Sequence, residues 1–138
     1  MTFAYLASPY THADEGVMEK RFLSALACAA WCLQNRLWVY SPIVHNHQIA
    51  ERYSLPKNYA FWNAYNFSIL DRANELLILA IEGWTTSLGV KGEIDRARFN
   101  STPSFLLFPG GNDTLYHKVK YDDTETNAPR SSSLELRS

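Results

Sequence analysis

The sequence GWTTSLGVKGE, Gly83–Glu93, lies between the most strand-like run of the chain and a helical pattern. The run before it, Leu76–Ile81, is entirely apolar, and Ile94 and Ala97 follow it with helical spacing. A hydroxyl-rich turn with glycines between a buried strand and a helix leaves backbone N–H groups without intrahelical partners. Such groups suit a phosphate or another anion. The stretch therefore predicts an α/β unit with a ligand site at its turn.

Two side chains of this stretch have the chemistry of a site. Glu93 follows Ser87 by six residues, so both side chains are expected at the opening of the same pocket. The hydroxyl could hold one end of a ligand, and the carboxylate could attack the other end. We expect the carboxylate to be ionised, because the N-terminal end of a helix favours negative charge. The alternative is purely structural: Thr86 or Ser87 caps the helix, and Glu93 interacts with its dipole.

Composition limits the possible classes of protein. The chain has 138 residues, 46% of them hydrophobic and 20% charged, with a net charge of −1. This predicts one domain with a substantial core and no broad surface for nucleic acid. No apolar run approaches the roughly 20 residues of a membrane span, and we see no signal-peptide pattern, so we expect a cytoplasmic protein without membrane contact. Cys28 and Cys32, four residues apart on an apolar helix, are expected to be buried free thiols.

Strand and helix patterns alternate along the chain. Strands are predicted at Phe3–Ala7, Leu37–Tyr40, Leu76–Ile81 and Ser104–Phe108, and helices at Asp14–Asn35, Ile43–Arg52, Tyr59–Ala73 and from near Ser87 to Asn100. This order predicts an open α/β fold with a flavodoxin-like or Rossmann-like parallel sheet, strand order 2-1-3-4, and helices on both faces. Ligands should then bind beyond the C-terminal ends of the strands.

The composition changes after residue 110. We place the α/β domain at residues 1–110 and a polar, at most partly ordered extension at 111–138. Within the extension, Leu115–Tyr121 has the pattern of an additional edge strand. Thr124–Ser138 has few apolar residues and is expected to fray or to lie on a partner.

Three motifs lie at the predicted strand ends: Tyr5–Pro9 (YLASP), Ser41–His45 (SPIVH), and Gly83-Trp84 followed by Ser87–Glu93 (SLGVKGE). Together they resemble the nucleoside 2-deoxyribosyltransferase-like superfamily, including its small phage and bacterial members. The resemblance extends in order from residue 2 to about 108. It implies cleavage of an N-glycosidic bond of a nucleoside or nucleotide, with Glu93 as the nucleophile and no cofactor or metal.

The chemistry of that reaction also requires such a group. Breaking the bond between C1′ and a base nitrogen passes through an oxocarbenium-like state, which a carboxylate can stabilise or capture. Tyr5 matches a tyrosine that the family places near its nucleophile, so the resemblance makes Tyr5 and Glu93 the catalytic residues. Water as acceptor gives a hydrolase and a second base gives a transferase, and the sequence leaves both open.

The resemblance also implies how the ligand is held. Family members that act on free nucleosides have an acid six residues before the nucleophile, whereas those similar to 2′-deoxynucleoside 5′-phosphate N-hydrolases have a serine that binds the 5′-phosphate. Ser87 therefore indicates a phosphate. The further ligand contacts that we assign are Ser8 as a second phosphate donor, with Pro9, Tyr10, His45, Asn66, Trp84 and Gly89. For Trp84 the alternative is core packing, and for His45 a loop position.

One departure from the family pattern keeps other functions open. The family commonly has an aspartate eight residues before the acid that opens the third strand, and here the pair is Asn66 and Asn74. An amide is a poor proton donor, and Asp71 nearby is expected to point into solvent. The alternatives are a non-catalytic nucleotide-binding or sensor module, and an enzyme that cleaves NAD at its nicotinamide bond.

The aromatic residues between Tyr59 and Phe67 exceed what one side of a small sheet readily buries. Together with the family's use of a neighbouring subunit at its pocket, they predict a homodimer or a larger homo-oligomer. The expected partners are therefore a small nucleotide or nucleoside and further copies of the chain.

Overall fold

Strands and helices alternate throughout the computed structural model, which describes residues 2–111 and 115–122. The strands are β1 (Ala4–Ala7), β2 (Val39–Tyr40), β3 (Glu75–Leu79), β4 (Ser104–Pro109) and β5 (Tyr116–Tyr121). The helices are α1 (Glu15–Gln34), α2 (Pro42–Tyr53), α3 (Tyr59–Leu70) and α4 (Leu88–Phe99), and a 3₁₀ turn at Trp84–Thr86 precedes α4. The predicted order of elements is confirmed.

The strands form one open sheet in the order β2-β1-β3-β4-β5. The first four are parallel, and β5 adds to the edge antiparallel to β4. The predicted order 2-1-3-4 and the predicted edge strand are both confirmed. Only β2 is notably shorter than expected, because the N–H of Leu37 donates to the carbonyl of Cys32 and closes the end of α1 instead of joining the sheet.

Helices cover both faces of the sheet. Successive residues of β3 alternate between the two sides, as the pleat requires. On one face α1 packs through Cys28, Ala29 and Cys32 against Leu6, Leu77, Leu79 and Leu107. On the other face Leu70 of α3 and Val90 and Ala97 of α4 pack against Tyr5, Leu76, Ile78 and Leu106. Both cysteines are buried thiols that are not joined in a disulfide, as predicted.

The end of α3 differs from expectation. Helix α3 ends at Leu70 rather than Ala73, because Asp71 is its C-cap and the next two N–H groups donate to carbonyls only three residues back. At the C-terminal end, β5 is the edge strand predicted within the extension. The predicted fraying of Thr124–Ser138 falls outside the described residues. None of the described helices has the length and apolar character needed to cross a membrane.

Candidate functional site

A cavity of about 440 Å³ opens at the C-terminal ends of β1, β2 and β3, the edge at which parallel sheets bind ligands. Its walls come from the loop after β1, from α2, from the start of α3 and from the N-terminal half of α4. The residues around it include Ser8, Tyr10, Asn46, His47, Lys57, Tyr59, Trp62, Asn66, Ser87, Gly89 and Glu93. Six of the ten predicted site residues line it: Ser8, Tyr10, Asn66, Ser87, Gly89 and Glu93.

Glu93 presents a buried carboxyl group to this cavity. Only 6% of the residue is exposed, and the Tyr5 hydroxyl donates a 2.6 Å hydrogen bond to its Oε2. Burial raises the pKa of Glu93 to about 8, and the bond from Tyr5 only partly opposes this. The expectation that the helix end keeps Glu93 ionised is therefore wrong near neutral pH. Glu93 is the sixth residue of α4, beyond the first turn where the dipole acts, so desolvation dominates.

The hydroxyl of Tyr5 holds the carboxyl group of Glu93 in position. It lies on β1, is fully buried, and is not among the residues that line the cavity. Burial, together with the nearby negative charge of Glu93, moves the pKa of Tyr5 far above its usual range. The phenol therefore remains a donor and fixes the position of Oε2. Of the two predicted catalytic residues, Glu93 faces the cavity, and Tyr5 orients the carboxyl group of Glu93.

A close approach between α3 and α4 shapes the wall beside Glu93. The Tyr59 hydroxyl occupies the place where a Cβ atom at Gly92 would lie, and the ring of Tyr59 also passes close to Gly89. Glycine in a helix interior is unfavourable by itself, so its presence indicates a packing requirement. Any side chain at residue 92 would push Tyr59 away from α4 and change the shape of the cavity.

Two serines lie at the turns that follow β1 and β3. Ser87 is the N-cap of α4, and its Oγ accepts a 3.1 Å hydrogen bond from the N–H of Val90. The capping role considered for Ser87 is therefore confirmed, although the residue also lines the cavity and its hydroxyl hydrogen can still be donated. Ser8 is buried, and its Oγ has no hydrogen-bond partner within the described structure. A buried hydroxyl without a partner is an unusual feature that a ligand oxygen would satisfy.

The sequence interpretation missed several polar residues of the cavity, among them Asn46, His47 and Lys57, which contact residues that it did predict or residues at the cavity's edge. The Tyr10 hydroxyl and His47 Nδ1 are 2.6 Å apart, and Lys57 pairs with Glu51 at the cavity's edge. Asn46 Nδ2 donates to Asn66 Oδ1 over 3.2 Å. Asn46 and His47 were passed over because they lie on α2 in a stretch that carries no ligand spacing. Helical rotation turns them inward and leaves His45 outside.

Four predicted site residues do not line the cavity: Tyr5, Pro9, His45 and Trp84. His45 is exposed, and its Nδ1 contacts Asn46 Oδ1 at 2.8 Å. Trp84 is half-buried in the core beneath α3 and α4, where its ring meets that of Tyr121 edge to face at 6.0 Å. The core-packing alternative for Trp84 is therefore correct. Pro9 is completely buried under the β1 turn.

Asp71 also points away from the cavity, as expected. Its carboxylate accepts hydrogen bonds from Arg96 Nε at 2.8 Å and from Arg96 Nη2 at 2.7 Å, and a third from Asn100 at 2.8 Å. These donors lower the pKa of Asp71 to about 2. Across residues 2–111 and 115–122, no group of three or more His, Cys, Asp or Glu side chains could hold a metal ion.

Comparison with known proteins matched one family model to the chain. A search of curated proteins found no match to the chain. The family model described as the domain of unknown function DUF1937 matches residues 2–108, from two residues before β1 to the last residue but one of β4. That range is most of the chain and contains every residue named above as lining the cavity. The chain is thus a member of the DUF1937 family.

Proposed function

We propose that the protein cleaves the N-glycosidic bond of a nucleotide or nucleoside, with the carboxylate of Glu93 as the nucleophile. The observation that carries this proposal is the pairing of Glu93 with Tyr5: a buried carboxyl group on a cavity wall, fixed by one short hydrogen bond. Structural carboxylates are usually exposed or paired with a cation, and Glu93 is neither.

The two carboxyl oxygens of Glu93 have different surroundings. Tyr5 holds Oε2, and no described residue donates a hydrogen bond to Oε1. Oε1 is therefore the atom assigned to C1′ of the sugar, where it captures the oxocarbenium-like centre as the base departs. With a pKa of about 8, roughly one-tenth of Glu93 is ionised at pH 7, so the active form is a minor one at neutral pH.

The remaining walls suit the other parts of a nucleotide. Ser8 and Ser87 offer hydroxyl donors, and Lys57 adds a cation, which together favour a 5′-phosphate. Tyr59 and Trp62 present aromatic rings that can pack against a base. A volume of about 440 Å³ is within the range of pockets for small molecules.

The proposal is tested by incubating the protein with a panel of nucleosides, their 5′-monophosphates and NAD, and by separating free bases chromatographically. Release of a base from one of the nucleosides or monophosphates supports the proposal, and a 5′-monophosphate should be the best substrate. Nicotinamide release from NAD alone would indicate the NAD-cleaving alternative. Tight binding with no release would indicate the nucleotide-binding alternative, for which the amide of Asn66 in place of an acid is the supporting observation.

The proposed assembly is a homodimer or larger homo-oligomer. Phe61 and Tyr65 of α3 are 48% and 42% exposed, and Tyr53 at the end of α2 is 73% exposed. Apolar rings left in water at this density favour association. Light scattering at micromolar concentration should give at least twice the chain mass of 15.8 kDa. A uniform monomer of that mass would contradict this prediction.

A further inference from the structure

A carboxylate, an imidazole and a phenol form a connected series along the cavity, away from α4. Glu19 Oε1 of α1 lies 3.4 Å from His47 Nε2, and His47 Nδ1 lies 2.6 Å from the Tyr10 hydroxyl. His47 is 7% exposed, and Phe22 stacks on its ring at 4.1 Å between centroids. Tyr10 is 9% exposed and meets the same ring edge to face. The imidazole is thus held in one orientation from both sides.

Unlike polar groups that are bonded within a protein core, these three side chains reach both the cavity and the solvent. Both Tyr10 and His47 line the cavity, whereas Glu19 is 57% exposed on its side chain and reaches water. The series therefore connects the cavity to solvent through two titratable groups. Because Glu19 faces Nε2, that nitrogen carries a hydrogen, and Nδ1 is the atom that exchanges a proton with Tyr10. Carboxylate, imidazole and hydroxyl in this order form the arrangement by which enzymes move a proton to or from a reacting group.

Several described residues near the cavity are unsuited to protonate the departing base. Glu93 must act as a carboxylate, so it cannot also protonate the base. Asn66 is an amide, and Asp71 is held outside the cavity by Arg96. Lys57 pairs with Glu51 and sits at the edge. Among the described cavity residues, Tyr10 has both a transferable proton and a partner, His47, that can replace it.

We propose that Tyr10 protonates the departing base and that His47, oriented by Glu19, resupplies the proton. The inference rests on the proposed function, because it needs a base that leaves. In this assignment Tyr10 is a catalytic residue and His47 and Glu19 are positioning and proton-supplying residues.

The step balances as follows. The bond between C1′ and the base nitrogen breaks, and its electron pair stays on the base. That nitrogen takes the proton of the Tyr10 hydroxyl, and the phenol oxygen takes the Nδ1 proton of a doubly protonated His47. His47 ends neutral, with its Nε2 hydrogen still directed at Glu19. Meanwhile Oε1 of Glu93 forms the new bond to C1′, and water or a second base later releases the sugar.

The test compares two substrates that differ in their need for a proton. One is a purine 2′-deoxynucleoside 5′-monophosphate, whose base is a poor leaving group unless protonated. The other is 4-nitrophenyl 2-deoxyriboside 5′-phosphate, whose leaving group departs as a stable anion. Tyr10→Phe should lower kcat/KM for the purine nucleotide by about 10²- to 10⁴-fold, the usual contribution of a general acid, and change it less than about threefold for the nitrophenyl substrate.

Two further variants distinguish the loss of the proton supply from a change in the shape of the site. His47→Gln should show the same selective loss as Tyr10→Phe, with a smaller magnitude. Tyr65→Phe is the matched control, because it removes a phenol from the same protein outside the cavity lining, and it should leave both substrates unaffected. Dissociation constants for the product 2-deoxyribose 5-phosphate should stay within about threefold in all three variants, which shows that the fold and the binding site are intact.

The outcomes are distinct. Equal losses on both substrates, or no loss on either, would overturn the role of Tyr10 and His47 while leaving Glu93 as nucleophile. Wild-type protein that cleaves the nitrophenyl substrate but never the nucleotides would overturn it as well. Wild-type protein that releases neither base nor nitrophenolate would overturn the proposed function itself, and the role of Tyr10 would fall with it.

Discussion

Two carboxyl groups, that of Glu93 within α4 and that of Asp71 paired with α4, have pKa values that move in opposite directions. Asp71 accepts two hydrogen bonds from Arg96 and one from Asn100, at the C-terminal end of α4, and its pKa falls to about 2. Glu93, one turn earlier in α4, receives one hydrogen bond from a neutral phenol, and its pKa rises to about 8. The difference arises from solvent access and from the charge of the donors, not from the helix.

The comparison indicates which carboxyl group the protein uses and which it only stabilises. A paired, solvated carboxylate such as Asp71 is firmly ionised and has its oxygens occupied by donors. A buried carboxyl with one oxygen free is costly to maintain as an anion, and perturbed groups of this kind are concentrated at functional sites. We therefore expect substitutions at Glu93 to affect activity and substitutions at Asp71 to affect stability.

The largest expected effect is the loss of base release in Glu93→Ala. A nucleophile contributes several powers of ten to the rate, whereas Asp71→Asn should leave kcat within about threefold. The measurement is kcat for the best nucleotide of the panel, with thermal melting to show that each variant is folded. Retention of more than about a tenth of wild-type kcat by Glu93→Ala, a loss below ~1.4 kcal/mol, is too small for a nucleophile and would reject the assignment.

The pH dependence of the reaction should report the raised pKa of Glu93. If the carboxylate attacks, kcat/KM for the 4-nitrophenyl substrate, which needs no proton donor, should rise about tenfold per pH unit and level off near pH 8. The rising direction follows because the ionised form accumulates as pH increases toward the pKa. A rate that falls through this range would show that the protonated form of Glu93 acts, as a general acid.

Much of the fold could be predicted from the sequence, because apolar runs and helical spacing dominate the chain. The strand order followed from alternation of strand and helix, and even the edge strand β5 had a readable pattern. The start of β2 could not be predicted, since it depends on whether Leu37 bonds to α1 or to the sheet. Such choices are decided by tertiary hydrogen bonds that no local pattern records.

Only part of the candidate site could be predicted from the sequence. The sequence predicted Ser8 and Ser87 because the turns after parallel strands meet at one edge of the sheet and because their motifs resemble a known superfamily. The rotation of α2, which turns Asn46 and His47 inward and His45 outward, is set by packing of Phe22 on His47. The ionisation state of Glu93 was predicted wrongly because its burial depends on residues distant in the chain.

A smaller effect is expected from Ser87→Ala, which should weaken use of a 5′-monophosphate relative to its nucleoside. A charge-assisted hydrogen bond contributes roughly 1.5–3 kcal/mol, so kcat/KM for the nucleotide should fall about ten- to a hundredfold and that for the nucleoside little. If no turnover occurs, Kd for the same pair serves. Ser87→Asp should go further, because a carboxylate repels phosphate.

Ser41→Ala is the matched control for Ser87→Ala. Ser41 caps α2 as Ser87 caps α4, with its Oγ also 3.1 Å from a backbone N–H, that of Val44, but it does not line the cavity. Both variants should lose about 1 kcal/mol of stability, the usual contribution of a cap. Only Ser87→Ala should change the preference for phosphate. Equal shifts in preference for the two variants, or equal use of nucleoside and nucleotide by the unmutated protein, would leave Ser87 as a helix cap alone.

The smallest expected effect concerns the stability that Asp71 contributes. Because the pKa of Asp71 is lower in the folded protein than in the unfolded chain, its contribution is present above about pH 4 and is lost as pH falls through about 2. The side chain is about one-third exposed, so screening by solvent reduces the contribution to roughly 0.5–1 kcal/mol. Urea denaturation at pH 7 should show Asp71→Asn less stable by that amount, and the difference should shrink toward zero near pH 2.

Asp95→Asn is the control for Asp71→Asn. In the described structure Asp95 makes single contacts of 3.3 and 3.4 Å with Lys91 and Arg98 on the same helix, so its substitution should cost less than about 0.5 kcal/mol. A difference for Asp71→Asn that persists unchanged at pH 2 would mean that the residue acts through its shape at the end of α3 and not through its charge.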